Sequence, residues 1–236
     1  MQFIIGIDEV GRGSLAGPVA VCAACVPTNL RLTTKNLGLG KLRDSKKLSE
    51  AQRERWFSYF ASSEHIRYEL ARVYPKKIDK INISRAANLA AYRALTRLIS
   101  RHRVNIKKCA VFLDGGLYVG NRRRLSRTRF AEARRVKTRI NADTIRVNLR
   151  GNPRISAFTV VKGDEKIDAI KIASIIAKVK RDRGMKRLSN IFPGYGFEIH
   201  KGYGTKRHIQ AIKKLGLSPI HRLTFLRKYI KLAVSD

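Results

Sequence analysis

The sequence predicts an α/β fold, a mixed five-stranded sheet flanked by helices and followed by a helical C-terminal tail. Three observations predict it. Short apolar runs bounded by glycine, proline or acidic residues alternate with segments of helical periodicity. One of those runs, CAVFLDGG, lacks polar alternation, as expected of a strand covered on both faces. The segment KIDAIKIASIIAKVKRDRGMKRL has the length and patterning of a long helix packed against such a sheet. At 236 residues and 44% hydrophobic content, the chain is expected to form a single domain over 1–236.

The opening QFIIGIDEVGRG reads as an apolar strand running into a glycine-rich turn, and PVAVCAACVP as a second strand ended by Pro27; together they suggest a hairpin. Residues 28–48 are polar and include DSKKLS, where Ser49 or Ser45 can cap the helix EAQRERWFSYFASS. HIRYELARVYP alternates as a third strand ending at Pro75, and the apolar spacing from Ile78 to about His102 gives one or two helices. CAVFLDGG is the fourth strand, with Asp114 at its polar end. Residues 119–154 are crowded with arginine, lack sustained periodicity and read as an insertion. ISAFTVVKGD is the fifth strand, ahead of the long helix. A loop rich in glycine and aromatics, GYGFEIHKGYGT, leads to a helix stopped by Gly216 and a last short helix, so 205–236 is expected to be a helical extension.

Charge narrows the function. Fifty-one Lys and Arg against 17 Asp and Glu leave a formal +34, a field that attracts polyanions, and nucleic acid is the polyanion a basic protein most often meets. Ribosomal or chromatin-like binding fits this balance as well as enzymology does. With no long uncharged apolar run and no signal-peptide pattern, a membrane partner is not expected and the cytoplasm is. The three cysteines, Cys22, Cys25 and Cys109, do not suggest a disulfide framework. Cys22 and Cys25 have zinc-like spacing, but on a strand they point to opposite faces, so ordinary buried cysteines are expected.

In so basic a chain the few acids stand out. Asp8 and Glu9 close the first strand, Asp114 closes the fourth and Asp164 follows the fifth, at the strand ends where α/β sheets place their chemistry. Converging carboxylates repel one another and call for a cation, and their all-oxygen character suits Mg²⁺ or Mn²⁺ rather than zinc. Two such ions support in-line displacement at phosphorus. Each acid also has a structural explanation: Asp114 can make a turn before Gly115, and Asp164 can cap the helix that starts near Lys166. Asp8 and Glu9 point to opposite faces unless the chain bends after Asp8, as Gly11 and Gly13 would allow.

GIDEVGRGSLAGPV, DSKKLS, FLDGG, VVKGDEK, ASIIAKVKRDR, YGFEIHKGYGTKRHIQAIKKLG and SPIHRLTF resemble, in order, the motifs of the ribonuclease HII family. The resemblance spans almost the whole chain apart from the arginine-rich stretch. It implies a ribonuclease H-like fold, with Asp8, Glu9, Asp114 and Asp164 as the catalytic carboxylates around two Mn²⁺ or Mg²⁺ ions. The substrate it implies is an RNA–DNA hybrid, or duplex DNA containing ribonucleotides, cut by an endonuclease to give 5′-phosphate and 3′-hydroxyl ends. Gly11, Arg12 and Gly13 match the family element that meets the ribonucleotide at an RNA–DNA junction, where glycines let the backbone approach a 2′-hydroxyl.

Tyr203 matches the tyrosine that packs on the next sugar, its plain alternative being a half-buried surface aromatic. Ser45 and Lys46 lie where the family contacts backbone phosphate, although helix entry and solvated charge account for them too. The signature begins at Gly6, which leaves no room for the N-terminal domain of the sister ribonuclease HIII. A monomer is expected, and no partner-binding peptide is recognisable. His200, His208 and His221 are read as structural or phosphate-facing, while Lys178, Arg181 and Arg183 either line the hybrid or form a wet helix face. Asp168 and Lys171 stand where the family shows small or hydroxylic residues. The rival function is a non-catalytic basic nucleic-acid-binding protein that reuses the fold.

Overall fold

In the computed structural model, residues 2–30, 32, 39–119, 142–147 and 155–230 are described. Strands β1 (Phe3–Val10) and β2 (Val19–Pro27) form the expected antiparallel hairpin, with Phe3 opposite Pro27 and Val10 opposite Ala20. A short 3₁₀ turn over Ser45–Lys47 leads into α1 (Glu50–Ser62). Of the two candidate caps, Ser49 is the one used: its hydroxyl accepts from the Gln52 amide and the Gln52 side chain accepts from the Ser49 amide, a reciprocal capping box. Asp44, rather than Ser45, caps the 3₁₀ turn through the Lys46 amide.

β3 (Arg67–Val73) stops short of Pro75, which instead opens α2 (Pro75–Ile81), because a first helical position needs no N–H. Asn82 at φ 64° separates α2 from α3 (Ile83–Arg101), and its side chain caps α3 by accepting from the Arg85 amide. β4 (Cys109–Asp114) follows, then β5 (Ala142–Val147), β6 (Ile155–Val160), the single turn α4 (Gly163–Lys166) and α5 (Asp168–Ile191). Three helices close the chain: α6 (Phe197–His200), α7 (Lys206–Leu215) and α8 (Leu223–Ile230).

The sheet runs β3-β2-β1-β4-β6-β5, with β1, β4 and β6 parallel and the others antiparallel to their neighbours. It is mixed and helix-flanked as expected, with six strands rather than five. The additional strand is β5, within the arginine-rich 119–154. Its ADTIRV carries too little apolar signal to stand out, and its place is set by antiparallel pairing to β6 along the sheet edge. The remainder of 120–154, including the arginines from Arg122 to Arg135, lies outside the described residues.

Each face of the sheet has its own core. On one, Ile5, Ile7, Val21, Val111 and Leu113 pack under the alanine-rich face of α3. On the other, Cys22, Ala24, Phe112 and Phe158 meet α1 and α5 through Trp56, Phe60, Ile172 and Ile176. Cys25 falls in the first cluster and Cys22 in the second, as strand geometry requires, and all three cysteines are free. α5 lies so close to β1 that a Cβ on Gly6 would sit 2.1 Å from the Ala169 carbonyl carbon.

The C-terminal helices fold back onto the N-terminal loop rather than trailing from the domain. Ala16 bridges to His221, the Gly17 amide donates to the Ile220 carbonyl, and Asp79 of α2 accepts from the Leu223 and Thr224 amides at the start of α8. Among the described residues no helix is long and apolar enough to cross a membrane.

Candidate active site

The parallel pairing of β1 with β4 ends at Ile7 and Leu113, so the next residues, Asp8 and Asp114, stand side by side where the two strands part, each still paired on its other flank. Asp8 is buried and points toward α5. Its Oδ1 accepts from the Glu9 amide at 2.8 Å, and its carboxylate also bonds Ser174. Glu9 turns the other way, where its Oε1 accepts from Arg12 Nη1 at 2.9 Å and Arg12 in turn reaches Ser84 at the start of α3. No bend follows Asp8, since β1 stays paired with β2 through Val10. The two acids leave opposite faces, yet both feel Asp114 at the tip of β4.

Asp114 Oδ1 accepts from the Gly163 amide at 2.7 Å, which ties the end of β4 to the corner after β6. Asp164 sits inside α4 and caps neither helix: α4 and α5 have no side-chain cap. Its Oδ2 lies 3.1 Å from the ammonium of Lys46, carried in by the 3₁₀ turn before α1. Four carboxylates from β1, β4 and the turn after β6 thus gather at the C-terminal ends of the central strands.

Their electrostatics confirm the crowding. Burial raises the Asp8 carboxyl well above its ordinary range, and the charges of Glu9 and Asp114 raise it further. Burial likewise raises Glu9 against the opposing pull of Arg12, and raises Asp114 with help from Asp164. Lys46 is held above the usual lysine value by Asp164, although burial acts in the other direction. One buried oxygen, Glu9 Oε2, has no hydrogen-bond partner among the described residues. As the side chains stand, no three His, Cys, Asp or Glu among the described residues form a group that could hold a metal ion. Lys46 and Arg12 lie on two of the four carboxylates instead. An all-carboxylate set in which Asp8, Glu9 and Asp114 are raised, with one orphaned oxygen, still fits a hard divalent cation, which would relieve both the repulsion and the missing partner.

The other sequence candidates fall around this edge unevenly. Gly11 is buried at φ 82°, Arg12 is half-buried against Glu9, and Gly13 is exposed with nothing near the position of a Cβ. Ser45 is buried and its hydroxyl meets Ser174 at 2.8 Å, so it faces the protein rather than a phosphate. Lys46 is exposed. Tyr203 is half-buried, with the Arg181 guanidinium carbon 5.5 Å and Lys178 Nζ 5.9 Å from its ring centre.

The cations of α5 divide three ways. Lys178 pairs with Asp182, Arg183 pairs with Glu54 of α1, and Arg181 is buried behind the Gly11–Pro18 loop. His200, His208 and His221 are buried in one cluster, in contact with one another and hydrogen-bonded to backbone groups, and none bonds the four carboxylates among the described residues. Lys171 and Asp168, the departures at the start of α5, pair with each other at 2.8 Å.

Two residues escaped the sequence reading. Ser174 is a hydroxyl on an otherwise apolar helix face that links Asp8 to Ser45, and that polar intrusion in IASIIA was its only signal. Arg222, fully buried, binds the loop that carries Gly11 and Arg12; a cation between apolar neighbours in PIHRLTF was the corresponding clue. A separate cavity of about 550 Å³ lies at the opposite end of β1, beside Phe3, Cys25, Arg67 and Lys108.

Known proteins share the sequence pattern and the fold of this chain. A family profile described as Ribonuclease HII matches residues 5–228. The chain is 40% identical over 229 residues to a Ribonuclease HII of Fusobacterium nucleatum subsp. nucleatum, covering 97% of this chain and 87% of that protein. It is 37% identical over 231 residues to a Ribonuclease HII of Caldicellulosiruptor bescii, with 98% and 90% covered. Among solved structures, the ribonuclease H2 from Pyrococcus horikoshii OT3 superposes with a TM-score of 0.66 at 25% identity, over 99% of this chain and 100% of that one. Bst-RNase HIII in complex with Mn²⁺ matches at a TM-score of 0.62 and 19% identity, over 100% of this chain and 71% of that one, a likeness of fold alone.

Proposed function

Since the chain belongs to the ribonuclease HII family and is a ribonuclease H acting on RNA–DNA hybrids, we propose that Asp8, Glu9, Asp114 and Asp164 hold two divalent cations that hydrolyse the RNA strand. The same site is proposed to incise beside ribonucleotides embedded in duplex DNA, leaving 5′-phosphate and 3′-hydroxyl ends. The observation that carries this reading is the gathering of four carboxylates at the C-terminal ends of the central strands, with Asp8, Glu9 and Asp114 raised by burial and by one another and with Glu9 Oε2 unpartnered among the described residues.

Divalent cations, when bound, supply a deprotonated water as nucleophile and positive charge for the leaving oxygen. Fixed geometry is the protein's own contribution. The Glu9 amide and Ser174 pin Asp8, and the Gly163 amide pins Asp114, so neither carboxylate needs to reorganise when a cation arrives. Lys46 and Arg12 keep the ionised acids compensated beforehand and lie where they can turn to an incoming phosphate. Buried Ser45 supports Ser174 and leaves the phosphate contact to its neighbour Lys46. The Gly11–Gly13 backbone is proposed to meet the ribose and Tyr203 the adjacent sugar, its ring steadied by Arg181 and Lys178.

The experiment is cleavage of a labelled duplex containing ribonucleotides, with and without Mn²⁺ or Mg²⁺. Nicking is expected only with metal. Asp8→Asn and Asp114→Asn are expected to abolish it, while hybrid binding is unchanged or tighter because each removes a negative charge that faces phosphate. Near-normal turnover of either variant would remove that residue from the catalytic set.

A further inference from the structure

Behind the Gly11–Pro18 loop lie two buried guanidinium groups that form no salt bridge with a carboxylate among the described residues. Arg222, wholly inaccessible, donates from Nη2 to the Gly11 carbonyl at 2.7 Å, from Nη1 to the Arg12 carbonyl at 2.9 Å and from Nε to the Gly17 carbonyl at 3.0 Å. Arg181 donates from Nε to the Pro18 carbonyl at 3.0 Å, from Nη1 to the Lys201 carbonyl at 3.0 Å, and from Nη2 to Ser14 Oγ at 2.8 Å and the Ala16 carbonyl at 3.4 Å. Burying two like charges is costly. Burial lowers the Arg222 guanidinium to about 9, and the charge of Arg181 adds to the effect. Core packing alone would be served by apolar residues, so the arrangement points to the loop that the cations grip.

The grip has a geometric consequence. In a trans peptide the carbonyl of one residue and the N–H of the next point in opposite directions, and every described peptide here is trans. Drawing the Gly11 and Arg12 carbonyls inward onto Arg222 therefore turns the Arg12 and Gly13 N–H groups away from it. The Leu15, Ala16 and Gly17 amides are already engaged, by the Gly202 and Ile220 carbonyls. Among the described residues neither the Arg12 nor the Gly13 N–H meets an acceptor. Gly13 opens to free space, and Arg12 stands on Glu9 of the carboxylate cluster. Gly11 can only be glycine here, because a Cβ would fall 2.1 Å from Arg181 Nε at a φ of 82°.

We infer that Arg222, seconded by Arg181, is a positioning residue for sugar selectivity: it presents the Arg12 and Gly13 amides as two fixed donors to the oxygen that distinguishes ribose from deoxyribose. This rests on the proposal that the Gly11–Gly13 backbone meets the ribose, and adds what orients it. Arg222 touches no substrate. It acts through the peptide planes it holds, and its positive charge deepens the donor character of the amides in front of it.

The test is equilibrium binding, in metal-free buffer, of two duplexes that differ only in one ribonucleotide replaced by its deoxy counterpart. Wild type is expected to prefer the ribose-containing duplex. Arg222→Lys keeps the charge but loses the three-way fork, and is expected to reduce that preference roughly tenfold, the worth of one or two hydrogen bonds, by weakening only the ribose duplex. If wild type shows no preference, the underlying ribose-contact reading fails. If wild type discriminates and folded Arg222→Lys does so equally, the role of Arg222 is overturned. Amide hydrogen exchange on wild type keeps the question answerable if the variant does not fold. The Arg12 and Gly13 amides are expected to exchange rapidly in the free protein and to be slowed by the ribose duplex alone; equal protection by both duplexes overturns the inference.

Discussion

At the scale of single residues, the histidines show how burial fixes a protonation state. His208 Nδ1 donates to the Tyr203 carbonyl at 2.9 Å, which leaves its Nε2 to accept from His221 Nε2, and His221 Nδ1 accepts from the Ser218 amide. His200 donates from Nε2 to the Tyr195 carbonyl and accepts the Gly202 amide at Nδ1. Every ring nitrogen is satisfied only while the rings are neutral, since a proton on His208 Nε2 would confront the N–H of His221. Burial lowers His208 from the ordinary 6.5 to about 4, and lowers His200 and His221 as well. The unfolded chain therefore binds more protons than the folded one between those values. The cluster's contribution to stability is complete above pH 6.5 and is lost as pH falls toward 4, by about 3 kcal/mol from His208 alone, while the raised carboxylates act in the opposite direction. Thermal melts across that window should show a falling Tm, with a shallower slope in His208→Gln. Equal slopes would mean that the cluster is not held neutral.

Elements place these residues, and the pairing of β1 with α5 matters most. Gly6 has no room for even a methyl group, because Ala169 and Ile170 backbone atoms of α5 lie within 2.3 Å of where a Cβ would stand. The turn of α5 that follows carries Ser174 to Asp8. Gly6→Ala is expected to push α5 off the sheet, costing about 2 kcal/mol or more, and to lower cleavage beyond what unfolding explains. Urea denaturation and cleavage rate would check both, and unchanged values would show that the helix has slack. The elements themselves were largely legible in the sequence: apolar runs announced β1, β2, β4 and β6, and a capping serine at 45 or 49 ahead of amphipathic patterning announced α1. β5 was not legible, because its pairing to β6 is a long-range choice that short local patterns do not encode. The carboxylates stood out as rare acids at strand ends. The inward turn of Ser45 and the burial of Arg181 did not, since a polar side chain names no direction until its neighbours are known.

For the molecule as a whole, a formal +34 remains on a fold whose described acids are largely occupied, Glu50 and Glu54 with Lys186 and Arg183 across α1 and α5, and Glu69 with Arg101. Most cations are left to solvent and to phosphate. Binding to a duplex is therefore expected to weaken about a thousandfold between roughly 50 and 200 mM salt, as for a protein making six or so phosphate contacts. On the proposed amide contact, the preference for ribose should persist across that range, because those donors are uncharged. Fluorescence anisotropy titrations at several salt concentrations would test this, and an affinity indifferent to salt would count against a charge-driven grip. The bonds from Arg222 to Gly11 and Arg12 span 211 and 210 residues. During synthesis, the loop that Arg222 orients emerges from the ribosome long before Arg222 is even translated. Until then the nascent chain carries its first carboxylates with that loop unbraced, so on the proposed reading selectivity for ribose waits on a residue made 210 positions after the loop it serves.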